Sequence, residues 1–125
     1  MKEHYVSYEC AIKLKELGFK CVVYTHYPQG DNNIRYTEDA INWNNSVALI
    51  SAPRLDQAQR WLREEKKWHI IIEPRIWEQQ VYDFKLWHYH RGYENANRGL
   101  DYLSYESALS AGINMALELL NLNKK

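Results

Sequence analysis

SAPRLDQAQRWLREEKKWHIIIEP, residues 51–74, holds a helix signal and a strand signal back to back, and the fold class follows from that pairing. Ser51 stands where a helix cap is wanted and Pro53 falls in the first turn, where its missing N–H costs little. Leu55, Ala58, Trp61 and Leu62 then share one helical face, while Arg60 and Glu64 take the solvent side. Trp68 to Glu73 is rich in β-branched residues and is closed by Pro74, the pattern of a strand. Residues 79–90 read as a second, longer strand, and the loop between the two contains Trp77. A hairpin is the economical arrangement.

Working outward, Ser7 caps a first helix that carries Ala11, Leu14 and Leu17 on one face and ends at Gly18, the residue best able to take a left-handed conformation. Residues 20–27 (KCVVYTHY) predict a strand, and PQGDNN at 28–33 supplies turn chemistry before a return strand at Ile34, Arg35 and Tyr36. Residues 37–46, with Asn42, Asn44 and Asn45 around Trp43, predict a long connection. Val47 to Ile50 fits a short strand or a hydrophobic staple for the next helix. After the polar, Gly-containing segment RGYENANRGLD, Ser104 caps a final helix with Tyr105, Ala108, Leu109, Gly112, Met115, Ala116 and Leu119 on one face. The order α-β-β-α-β-β-α predicts a single α+β domain over residues 1–125: an antiparallel sheet of two hairpins with helices packed on one face. YVSYECAI at 5–12 and YLSYESAL at 102–109 agree at five of eight positions. Duplication and shared helix-start chemistry both account for that echo.

Composition narrows the function classes. The 125 residues are 46% hydrophobic, enough for a core, and Lys plus Arg equals Asp plus Glu at 16 each, so the formal net charge is zero. A polyanion binder working by counterion release is thereby disfavoured. The opening MKEHYVSYEC lacks the apolar stretch of a signal peptide, and no apolar run approaches the roughly 18 residues of a membrane span, so a cytoplasmic protein without a membrane partner is expected. Cys10 and Cys21 fit neither a disulfide framework nor a zinc ribbon and read as reduced thiols. The five glycines form neither a nucleophile elbow nor a phosphate loop. Glu64 and Glu65 are adjacent and diverge on a helix, so they do not make an acid/base pair. No cofactor is implied, and the chain is not expected to be an enzyme.

The 5 Trp, 10 Tyr and 2 Phe are the unusual feature. Alternation along the second strand would place Tyr82, Phe84 and Leu86 inward. Val81, Asp83, Lys85, Trp87, Tyr89 and Arg91 would then look outward, two aromatics standing between cations. Such a face suits a protein partner or self-association as a homodimer, with Trp77 adding to it. It equally has the parts of a single-stranded nucleic-acid platform, which zero net charge ranks second. His88 and His90 form an HxH pair about 7 Å apart on one strand face, a usable metal spacing to which Glu73 or His69 could add a third ligand. The same face carries Tyr82, Phe84 and Leu86, so the pair reads first as the polar rim of the core, and metal-dependent hydrolysis at His88 and His90 is the weaker alternative to the two binding readings.

YVSYECAIKLKELGF, the SAPxxxQAxxWLRE pattern and SYESALSAGINMALELL resemble a family of small uncharacterised proteins of gut-bacterial and phage-like genomes. The resemblance covers most of the chain, departs most over residues 20–46, and implies a similar α+β domain of mobile-element origin. It carries no activity and no functional residue.

Overall fold

A computed structural model describes residues 4–76, 80–94 and 102–123. The protein is α+β, with three α-helices and two three-stranded antiparallel sheets. Its contacts gather into two compact units, residues 1–54 and 55–125. The expected arrangement of one sheet from two hairpins is corrected here: each hairpin recruits a third, three-residue strand and forms a sheet of its own.

In the first unit, α1 (Tyr8–Glu16) is followed by β1 (Val23–Pro28), β2 (Arg35–Ile41) and β3 (Leu49–Ser51), in the sheet order β2-β1-β3. Ser7 Oγ accepts the Cys10 N–H at 3.2 Å and so satisfies one of the open donors of the first helical turn. At the other end Gly18 takes φ 93°, which lets Gly18 N reach Lys15 O and Phe19 N reach Leu14 O, a Schellman closure. Cys10, Ala11 and Leu14 are buried. Burial pushes the Cys10 thiol up to about 12, with Lys13 opposing.

The Asn-rich stretch is more ordered than expected. Residues 37–41 belong to β2, and Trp43–Asn45 form a 3-10 turn in which Asn42 Oδ1 accepts the Asn44 N–H. Asn44 then ties two elements together, donating from Nδ2 to Phe19 O and accepting Ser51 N at Oδ1. Trp43 Nε1 donates to Val23 O, and its ring lies 4.3 Å from that of His26. Ser51, expected as a helix cap, is instead a fully buried strand residue. Its N–H is already committed to Asn44, and the following helix opens at Leu55, beyond Pro53.

In the second unit, α2 (Leu55–Lys66) leads into β4 (Trp68–Ile76), β5 (Gln80–His88), β6 (Gly92–Glu94) and α3 (Tyr105–Asn123). The sheet order is β4-β5-β6. Leu55, Ala58, Trp61 and Leu62 are all buried, as the periodicity of α2 predicts. Ser104 Oγ accepts Ser107 N at 3.0 Å, so both echo segments cap a helix through the same bond. The units differ in strand order all the same: β1, the first strand of its sheet, is central, whereas β5 is the second.

The buried face of α3 holds Ala108, Leu109, Gly112, Ile113, Ala116 and Leu117, while Tyr105 is 45% exposed and Met115 and Leu119 are half-buried. The stripe is thus rotated from the expected one toward Ile113 and Leu117. Gly112 sits so close to the sheet that an added Cβ would lie 2.6 Å from Ile70 Cγ2 and 3.3 Å from Phe84 Cδ1. No helix among the described residues is long and apolar enough to cross a membrane.

Candidate interaction face

β4 and β5 pair along their whole length, from Trp68 opposite His88 to Ile76 opposite Gln80. Side chains alternate across the sheet, so Trp68, Ile70, Phe84 and Leu86 share the face packed by α3, and all four are buried. The other face carries His69, Ile71 and Glu73 on β4 and Val81, Asp83, Lys85 and Trp87 on β5. On it His69, Trp87 and Tyr93 fall in one cross-strand row, because Trp87 opposes His69 on one side and Tyr93 on the other. The His69 and Trp87 rings meet edge to face at 5.1 Å.

β5 ends at His88, and a turn over residues 89–91 reaches Gly92, whose φ of 72° favours glycine. Tyr89 stands on this turn with its ring 6.3 Å from that of Trp87. Tyr89 and Tyr93 remain 68% and 67% exposed and Ile71 37%, and Arg91 is an exposed residue of the same turn as Tyr89. Lys85, Trp87 and Tyr89 thus share one surface, while Arg91 lies on the 89–91 turn near His88, whose side chain takes the opposite face of the sheet. Trp77 lies outside the described residues.

Two expectations about this surface change. Val81 and Asp83, placed outward by alternation, are 5% and 2% exposed, so the open part of the face begins at Lys85. Alternation fixes which face a residue takes but not what covers that face. Lys85, in turn, is ion-paired to Glu73 at 3.1 Å, with both side chains about half exposed. Such a pair adds little stability, but it removes a cation from the count available to a phosphate backbone.

The HxH motif does not assemble as a strand pair. His90 lies in the turn beyond β5, where its N–H donates to His88 Nδ1 at 3.1 Å. The His88 ring packs 4.8 Å from Trp68 and also hydrogen-bonds the Lys66 backbone. Burial, with His90 and Arg91 nearby, holds His88 below the usual histidine range, and the Lys66 bond opposes that shift. His69 and Glu73 belong to the opposite face of the sheet from His88, so neither is placed to act as its third ligand. Among the described residues no group of three or more His, Cys, Asp or Glu could hold a metal ion.

The sheet edges follow from the same register. Tyr82 exchanges both backbone bonds with Tyr102, so its N–H and C=O point away from β4. By alternation Trp68, Ile70, Ile72 and Pro74 present their backbone to the outer side of β4. Along that edge Pro74 has no N–H, and Gln59 Nε2 donates to Ile70 O at 3.0 Å. On β3, Leu49 and Ser51 point outward, and they are capped by Lys15 Nζ on Leu49 O and by Asn44 Oδ1 on Ser51 N. β2 carries a register irregularity opposite Val23 to Thr25, and Glu38 and Asp39 stand in it. Strand addition is thus obstructed at the edges formed by β2, β3 and β4.

His69 and Tyr93 complete the row and are not apparent from the sequence, because only register brings them beside Trp87. Alternation within WHIIIE would at least have placed His69 with Ile71 and Glu73. No protein-family model matches the sequence, and neither the curated proteins nor the solved structures contain a match to the chain.

Proposed function

We propose that the chain is a non-enzymatic protein-interaction module that docks its partner on the outer face of β4-β5-β6. The observation that carries this reading is the His69-Trp87-Tyr93 row, laid across all three strands and continued by the exposed Tyr89. Tyr rings are efficient anchors: each offers large apolar area with few torsions to freeze. Covering the exposed parts of Tyr89 and Tyr93 contributes about 5 kcal/mol gross at ~25 cal/mol per Å2. Association itself costs about 4–15 kcal/mol, so the two tyrosines do not suffice and Trp87 and Ile71 must also be covered. A cytoplasmic setting, in which the free Cys10 and Cys21 stay reduced, belongs to this proposal, as does the phage or mobile-element origin implied by the sequence resemblance.

The test places a photo-crosslinking amino acid at Tyr93 in cells, with Lys20 in the first unit as the control position. Protein adducts are expected at 93 and not at 20. Equal labelling, or none at 93, refutes the reading.

Single-stranded nucleic acid is the second reading, favoured by the stackable rings of Trp87, Tyr89 and Tyr93, with Arg91 on the adjoining turn. It ranks lower because Lys85 is neutralised by Glu73 and the chain has no positive surplus. Oligonucleotides at low salt are expected to leave Trp fluorescence unchanged. Saturable, salt-sensitive quenching that is lost in Trp87→Ala reverses the order.

A further inference from the structure

We infer that the partner segment this face accepts is a proline-rich stretch in the polyproline II conformation, laid across the strands along the His69-Trp87-Tyr93 row. The inference rests on the docking role proposed above and adds the chemistry of the occupant. Area sets the scale. An aromatic side chain offers roughly 150–250 Å2, so the exposed parts of Tyr89 and Tyr93, with those of Trp87 and Ile71, come to on the order of 400 Å2. Each side of a standard interface buries ~800 Å2. The face is thus sized for a short segment of chain and not for a globular body.

Spacing selects the conformation of that segment. The row stands on three adjacent strands, which puts His69 and Tyr93 two inter-strand steps apart, about 9.6 Å. A polyproline II helix has three residues per turn and rises 3.1 Å per residue, so residues i and i+3 recur on one edge about 9.3 Å apart. Two prolines at that spacing bracket Trp87, one beside His69 and the other beside Tyr93. The rings suit them. His69 meets Trp87 at 69° and Tyr89 meets it at 84°, so upright rings form corners in which a compact pyrrolidine touches aromatic surface on two sides. Proline also arrives with its backbone already restricted, which keeps the ordering cost of docking low on so small a surface.

Other modes of segment binding fit less well. A strand added to the sheet needs an open edge, but β4 is closed by Pro74 and by Gln59 on Ile70 O, and β6 is three residues long. An acidic or phosphorylated segment needs a cluster of free cations, and Lys85 is paired to Glu73. An amphipathic helix needs an aliphatic groove along its length, whereas among the described residues Ile71 is the one aliphatic side chain exposed on this face.

The test titrates the full chain with decaproline, followed by Trp fluorescence and backbone-amide NMR, with a Gly-Ser peptide of equal length as control. Saturable binding with Kd on the order of 0.1 mM is expected for decaproline alone, with shifts centred on Trp87, Tyr89 and Tyr93. It should be insensitive to added salt, because no charge on the ligand is engaged. Trp87→Ala and Tyr93→Ala should each weaken it at least tenfold, and circular dichroism of each variant establishes that it is folded. A flat titration, or binding that both variants retain, overturns the inference. If Tyr93 then still crosslinks a protein, the docking role stands and only the proline-rich class is withdrawn. If it crosslinks nothing, both are withdrawn.

Discussion

Replacing Gly112 by alanine sets two well-measured effects against each other. In an exposed helix interior Gly→Ala gains about 0.5–1 kcal/mol, because glycine loses the most backbone freedom on folding. At Gly112 the new methyl would meet Ile70 Cγ2 at 2.6 Å and Phe84 at 3.3 Å, inside ordinary contact distance. Neither neighbour yields easily. Ile70 is β-branched, stiff at χ1 and 5% exposed on β4, and Phe84 is 3% exposed on β5. The methyl can be admitted only by lifting α3 off the sheet or by forcing Ile70 from its rotamer, and overpacking of this kind costs about 1–3 kcal/mol. Overpacking wins, and Gly112→Ala is expected to be destabilising by about 1 kcal/mol net, a loss of roughly 3–5 °C in Tm for a chain of this size. Urea unfolding followed by circular dichroism gives the free energy directly. Ile70→Leu moves the branch away from Cβ, so the double variant should be less destabilised than the sum of the singles by about 1 kcal/mol. A Gly112→Ala protein that is more stable than the parent would show that α3 does not approach Ile70 this closely.

Three further outcomes follow from particular groups. Burial, with Arg35 adding to it, holds His26 below the usual histidine range, and burial does the same to His88. The unfolded chain therefore binds more protons than the folded one just below the ordinary histidine value of about 6.5, so stability falls as pH drops through that value toward the folded ones. Chemical denaturation at stepped pH should show this decline, and it should flatten in His26→Gln and His88→Gln; a pH-independent midpoint contradicts it. With its thiol pushed up to about 12, Cys10 should resist a thiol reagent at neutral pH while the exposed Cys21 reacts at once. Mass spectrometry should find one label on the native protein and two after denaturation. Asn44→Ala removes the partners of Phe19 O and Ser51 N together and should cost about 2–4 kcal/mol, far more than the same change at the exposed Asn45.

Periodicity made the middle of the chain legible. α2 buries the four residues its spacing selects, and the WHIIIE strand and its return partner pair as the patterns of β-branched and alternating residues require. The three-residue strands are harder to read: Leu49–Ser51 overlaps one of the two readings of Val47 to Ile50 and Gly92–Glu94 escaped, because both are too short to show a period and exist only by pairing with longer neighbours. Ser51 misled for a chemical reason: a serine two residues ahead of proline and an amphipathic run has every local mark of a cap. Its placement is decided instead by β1 and by an asparagine seven residues earlier. At the candidate face, alternation correctly grouped Lys85 with Trp87, but the turn at 89–91 ends the strand before His90 and breaks the HxH geometry. His69 and Tyr93 joined the site through register, which one sequence does not display.

Side chains that close the sheet edges also bear on how the protein behaves at high concentration. A chain of zero net charge near neutral pH has little electrostatic repulsion to keep its molecules apart, the condition under which proteins precipitate most readily. Gln59, Lys15 and Asn44 occupy backbone groups that would otherwise template a neighbouring strand. Geometric protection here substitutes for charge. The colloidal stability of this protein should accordingly be insensitive to salt and sensitive to the loss of a single amide, such as that of Gln59.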